Sequence, residues 1–396
     1  MKQITLFLAT IAFFFVLITS CQQDIGTEHT SKQTVFTGAE KSARLSAELK
    51  SKMDKVRSSL PISLQKNLRQ KSQLVLKMHP EYRSMILNAL SLEPTPCNSN
   101  TAVNQWLDQQ LADWNNEVIG YVLDLAMLDL PTYDALVFEN SSANQYFGLN
   151  GEFTQKLTKT FKDIKRFWNI PSDDIVLAAM HGNMLLDRNK VIRTYVAAFD
   201  VPAATAAILA DIVVELTNEI PQYRKGNHPI FTFNAFAQAG FDYPPYATIP
   251  DKIIMGDGIL EAFKAVGLDD VAPQAILAHE FGHHIQFELN LFTDVESPEA
   301  TRRTELMADA YSAYYLSHAR GASMQWKRVK LFLNVFFNIG DCSFTSDGHH
   351  GTPTQRMAAA EWGYSVANDA QKQGKILTAQ QFTKLFEAQL PILVTY

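Results

Sequence analysis

The sequence predicts an α+β chain that is mainly α, with an all-helical region over residues 41–224 followed by a region over 225–396 that joins a small sheet to helices. Three observations lead there. Apolar residues recur at three- and four-residue spacing over Leu45–Leu60, Pro61–Leu90 and Asn104–Leu130, the period of helices with one buried face. After about residue 224 aromatic and polar residues alternate instead, as on a half-buried strand. Hydrophobic residues make up 46% of the 396 positions and charged residues 19%, which suits a sizeable core and excludes a disordered chain or a coiled-coil rod.

The first element is a leader over residues 1–20. Lys2 precedes the apolar run Ile4–Ile18, about fifteen residues where a membrane-spanning helix needs about twenty. The run ends in Ile18-Thr19-Ser20-Cys21, which resembles the lipobox of bacterial lipoproteins. That resemblance implies cleavage before Cys21, lipidation of Cys21, and attachment to a bilayer of the cell envelope without spanning it. Gln22 rather than an aspartate after the cysteine points to the outer membrane where two membranes are present. Residues 21–40 are polar and read as a tether. Cys97 and Cys342 could pair outside the cytoplasm or remain separate buried thiols. Three cysteines exclude a disulfide scaffold and a four-cysteine zinc site. A net charge of −6 without a basic stripe argues against a nucleic-acid partner.

Through the helical region Pro61, Pro131 and Pro171 punctuate the pattern, and Ala203–Leu216 reads as a buried helix. No repeat of fixed period appears, and the region's expected role is to pack and position the rest. His79 and His181 stand alone there and read as structural. Pro221 and Gly226 mark a junction. Beyond it, Pro229–Phe236 reads as one strand and Lys252–Gly256 as a second, closed by Asp257-Gly258. A helix follows from about Val271 to Leu289, with Pro273 in its first turn.

That helix carries His279-Glu280-Phe281-Gly282-His283. Histidines four apart lie one turn above each other, so both imidazoles can reach one metal ion, with Glu280 beside them as a base toward its water. Chance alone would give this pattern roughly 0.01 times in a chain of this length. Catalytic zinc needs a third protein ligand and an open position. The positions where a metzincin would place a glycine and a third histidine hold Gln286 and Leu289, which excludes that class. Glu305, on a second helix with apolar Leu306, Ala308 and Ala310, is the expected third ligand. Asp309, one turn further on, is placed to accept the outer N–H of a metal-bound histidine and fix its orientation.

Together these residues resemble the gluzincin metallopeptidases, and more closely a bacterial family of neutral zinc metallopeptidases. His279–Gln286 matches that family's His-Glu-Phe/Tyr-Gly-His-His-x-Gln stretch, and Glu305–Asp309 its Glu-Leu-x-Ala-Asp stretch. Gly340-Asp341 and His350-Gly351-Thr352-Pro353-Thr354-Gln355-Arg356 match a later segment. The likeness covers about 228–365, and the helical region lies outside it. It implies a zincin-like domain over 225–396 binding one Zn2+ per chain, and hydrolysis of a peptide or protein substrate. It further implies a donor for the oxyanion of the scissile carbonyl. His350 is the candidate, with His349, Tyr311 and Tyr315 as alternatives; His350 and Arg356 could instead form a structural clasp. The substrate would lie beside an edge strand just before the active-site helix, expected at Lys252–Gly256. His284 reads as structural or as a support to the ligands, and His318 as a cation at a helix C-terminus. The reading that competes with a membrane-anchored peptidase is a non-catalytic zincin-like lipoprotein serving as a binding or scaffold module. A third is an enzyme of the same fold acting on a non-peptide amide.

Overall fold

A short run of apolar residues, Val176-Leu177-Ala178-Ala179-Met180, forms a strand inside the region expected to be all helical. The computed structural model describes residues 38–68, 101–292, 297–337 and 351–396. The leader, the lipobox at Cys21, His79, Cys97, Cys342, His349 and His350 lie outside the described residues. The chain divides into two compact units, Met1–Ser46 and Ala47–Tyr396.

Helices come first: α1 (Gly38–Ser59), α2 (Ala102–Leu111), α3 (Asn116–Asp124), α4 (Leu130–Phe138) and α5 (Thr154–Phe167). Residues 104–130, expected as one helical stretch, are broken because Asn115 caps α3 by accepting from the amides of Glu117 and Val118. Helix α5 shows the expected periodicity, burying Leu157, Thr160, Phe161, Ile164 and Phe167. Strand β1 (Val176–Met180) follows, then α6 (Arg188–Phe199) and α7 (Ala203–Glu219).

Next come β2 (Ala235–Gln238), β3 (Phe241–Tyr243), β4 (Ala247–Ile249) and β5 (Lys252–Gly256). The strand expected over Pro229–Phe236 begins only at Ala235, because Pro229–Thr232 coil into a 3-10 turn. The remaining helices are α8 (Asp257–Ala265), α9 (Ala272–Glu288), α10 (Pro298–Ser317), α11 (Trp326–Phe336), α12 (Pro353–Lys372) and α13 (Ala379–Leu393).

The main sheet has the order β1-β5-β2, with β1 parallel and β2 antiparallel to β5. Strand β5 is therefore central and fully buried, where the sequence reading placed it at an edge. The sheet also draws strands from both sides of residue 224. Strand β1 pairs Val176–Met180 with Lys252–Gly256, so the earlier region is neither all helical nor separate from the sheet. The physical reason is that a parallel strand buried on both faces carries no polar alternation. Lys252 adds to the link, donating from Nζ to the carbonyls of Ala135 (3.0 Å) and Leu136 (2.5 Å) at the C-terminal end of α4.

Helix α10 is buried along every face from Thr304 to Leu316. It packs between α9 and α12 at close range. A Cβ on Gly282 of α9 would stand 3.0 Å from Ala308 Cα, and one on Gly363 of α12 would stand 2.4 Å from the Ala310 carbonyl oxygen. Phe167 and Trp168 meet Tyr315 and Tyr311 of α10 edge-on. Among the described residues no helix is long and apolar enough to cross a membrane.

Candidate metal centre

Helix α9 begins with Pro273 in its first turn and buries Ala275, Ile276, Leu277 and Ala278 before reaching His279. Helix α10 is capped by Ser297, whose Oγ accepts from the Ala300 amide at 3.1 Å. The close approach at Gly282 brings the two helices together where their polar residues face each other. His279 Nε2 lies 3.3 Å from Glu305 Oε2, and His283 Nε2 lies 3.4 Å from Glu305 Oε1. The three ligand atoms fall within 4.8 Å of one another. Two ligand atoms held about 2.0–2.1 Å from a tetrahedral ion stand about 3.3–3.4 Å apart; each histidine meets one oxygen of Glu305 at that spacing, and the group could hold a metal ion.

The neighbours hold these groups in place. Asp309 Oδ1 lies 3.0 Å from His279 Nδ1, close enough for an ion pair but short of hydrogen-bond alignment. Arg356, from the first turns of α12, donates through Nε to Asp309 Oδ2 (2.8 Å) and through Nη2 to Asp309 Oδ1 (2.9 Å). The same Nη2 is 3.6 Å from Glu305 Oε2. The guanidinium sits over the rings of Phe337 and Phe336, at 4.6 and 5.4 Å. His283 Nδ1 contacts Gln286 Oε1 at 3.0 Å, and Gln286 Nε2 donates to the Thr304 carbonyl at 2.6 Å.

Glu280 is buried, and the backbone of Ala237 in β2 hydrogen-bonds to it. Burial raises its carboxyl pKa to about 7, with His279 opposing the rise and Glu305 reinforcing it. Burial alone would lower the His279 pKa, but Asp309 and Glu305 raise it to about 10. Two buried carboxylates around these imidazoles therefore call for positive charge, which a proton or a metal ion can supply.

Neither a family model, nor a curated protein, nor a solved structure matches this chain. The geometry itself carries a buried His–His–Glu group that resembles a zinc site in a mainly helical chain.

Other residues singled out in the sequence fall elsewhere. His284 is fully buried and turns away from the group, with Nε2 2.8 Å from the Lys252 carbonyl and Nδ1 3.4 Å from Asp251. It ties α9 to β5. Tyr311 is bonded to Thr383 and Tyr315 packs on Phe167, so both belong to the core. His318 is not a cation. Its Nδ1 accepts from the Arg320 amide, its Nε2 faces the Lys375 carbonyl, and burial lowers its pKa. His181 lies apart from the group, with Nδ1 2.7 Å from Asp257 and its ring stacked on Tyr146. Arg356 was among the residues expected to form a structural clasp, but its bidentate hold on Asp309 could not be named from the sequence. The contact between His283 and Gln286 was open to discovery from their three-residue spacing on one helix.

Proposed function

We propose that this chain is a zinc-dependent metallopeptidase, and that Cys21 is lipidated and holds it to a bacterial envelope membrane, the outer one where two are present. The observation that carries the enzymatic reading is the buried convergence of His279, His283 and Glu305 with Glu280 next in sequence. Zinc held by those three side chains would supply a Lewis acid and a water of lowered pKa. Glu280 accepts the proton of the attacking water and returns it to the leaving amine of the peptide. Asp309 holds the His279 ring so that Nε2 faces the site. His350 is proposed as the donor to the carbonyl oxyanion. The central place of β5 removes it as the strand beside which substrate would lie.

The test is zinc content together with cleavage of casein or a peptide library. Glu280→Gln should retain about one zinc per chain and lose nearly all cleavage, because it removes a base and no ligand. Glu305→Ala should lose zinc and cleavage together. Full activity in Glu280→Gln would overturn Glu280 as the base, and zinc binding without cleavage by the wild type would leave a zincin-like scaffold. For the anchor, Cys21→Ser should leave the membrane fraction or remain unprocessed; fractionation and migration like wild type would refute lipidation.

A further inference from the structure

We propose that Arg356 is a positioning residue for the metal centre, acting through Asp309 and Glu305 on the two nitrogens of His279. This rests on the reading of His279, His283 and Glu305 as metal ligands.

Three observations meet on one guanidinium. Its fork takes both oxygens of Asp309, at 2.8 and 2.9 Å, so the carboxylate cannot turn in its plane. The oxygen that receives Nη2 is Oδ1, the one that faces His279 Nδ1 at 3.0 Å. The same Nη2 approaches Glu305 Oε2 at 3.6 Å, the oxygen that faces His279 Nε2 at 3.3 Å. Arg356 thus bears on both sides of the imidazole without touching it.

A clasp between α10 and α12 would need only the pair with Asp309. The reach to Glu305 and the seating of the cation against Phe336 and Phe337 fix the guanidinium relative to the ligands as well. Arginine suits this place because its fork is rigid and it stays charged when buried; lysine would bring a point charge with no fork. Arg356 is 7% exposed and Asp309 1%, so water competes little for either. The resulting relay runs from the phenylalanine wall through Arg356 and Asp309 to His279, and it sets the ring before any ion arrives. Partners of this kind beyond the ligands commonly change metal affinity by 10–100-fold.

The experiment measures Zn2+ affinity by competition with a chromophoric chelator, and the visible spectrum of the Co2+-loaded protein. It uses the full chain as wild type, Arg356→Met, Asp309→Asn and the double variant. Arg356→Met should bind Zn2+ about ten-fold more weakly or worse and shift the Co2+ bands. In the Asp309→Asn background the same substitution should cost less than in the wild type, because the path through Asp309 is already cut and only the approach to Glu305 remains to be lost. Arg356→Lys should recover part of the affinity and not the spectrum. Wild-type Zn2+ affinity in Arg356→Met, with only a lower melting temperature, would make the residue a clasp and overturn the proposal. So would losses that multiply in the double variant. Should the methionine variant fail to fold, Arg356→Lys decides: wild-type affinity and bands would overturn the proposal. Absence of Zn2+ binding by the wild type would overturn the metal-centre reading and this proposal with it.

Discussion

Asp309 and Arg356 are 47 positions apart, which is why their pair could not be read from the chain whereas His279, Glu280 and His283 could. The histidines announce themselves by helical spacing. Glu305 announces itself as an acid among apolar neighbours, and Asp309 by its place one turn on. What a carboxylate meets across a helix interface carries no local signature. Asp309→Ala should weaken Zn2+ binding about ten- to hundred-fold by chelator competition; unchanged affinity would deny Asp309 any hold on His279. His228 supports a second prediction at this scale. Its Nδ1 accepts from the Ile230 amide at 3.2 Å and its Nε2 faces the Gln110 carbonyl at 2.9 Å, a pattern open only to the neutral ring. Burial lowers its pKa from 6.5 to about 4, helped by Arg224 and opposed by the bond to Gln110. The unfolded chain then binds the proton more tightly than the folded one. This contribution to stability is present above pH 6.5 and declines as pH falls toward 4, by about 3 kcal/mol in all. Urea unfolding at pH 7.5 and pH 5 should show a loss that His228→Gln reduces by about 2 kcal/mol. Equal pH dependence in both proteins would refute the assignment.

Among the elements, several helices and the buried strand β5 were legible, whereas β1 was not. Helix α5 shows its period in Leu157, Phe161 and Ile164, and α9 carries its proline and its histidines at the expected places. Strand β1 was missed because five apolar residues in a row fit a buried strand and a buried helix equally well. The place of β5 in the sheet was misjudged because pairing is a property of distant segments. The packing of α10 against α12 gives the prediction at this scale. Gly→Ala in a helix usually stabilises by about 1 kcal/mol. At Gly363 the new methyl would meet the Ala310 backbone at 2.4 Å, and a carbonyl oxygen cannot swing aside as a side chain can. The clash should win, with Gly363→Ala destabilising the fold by about 1–3 kcal/mol in urea titration. A more stable variant would show that the helices separate without cost.

For the whole molecule, the sheet binds the region before residue 224 to the region after it. A fragment of residues 225–396 would leave β5 without β1 on one side and Lys252 without the carbonyls of Ala135 and Leu136. That fragment should show no cooperative unfolding transition by circular dichroism, whereas residues 47–396 should show one. A sigmoidal transition in the fragment would restore a domain boundary at 224/225. The middle position of β5 also orders events in time. During synthesis β1 is finished long before the partner that fills its parallel edge, so its pairing must wait for residues 252–256. Pairing between strands so far apart in sequence is slow. Pulsed amide exchange during refolding should find Val176, whose amide donates to the Asp251 carbonyl, protected only together with Ile253–Met255.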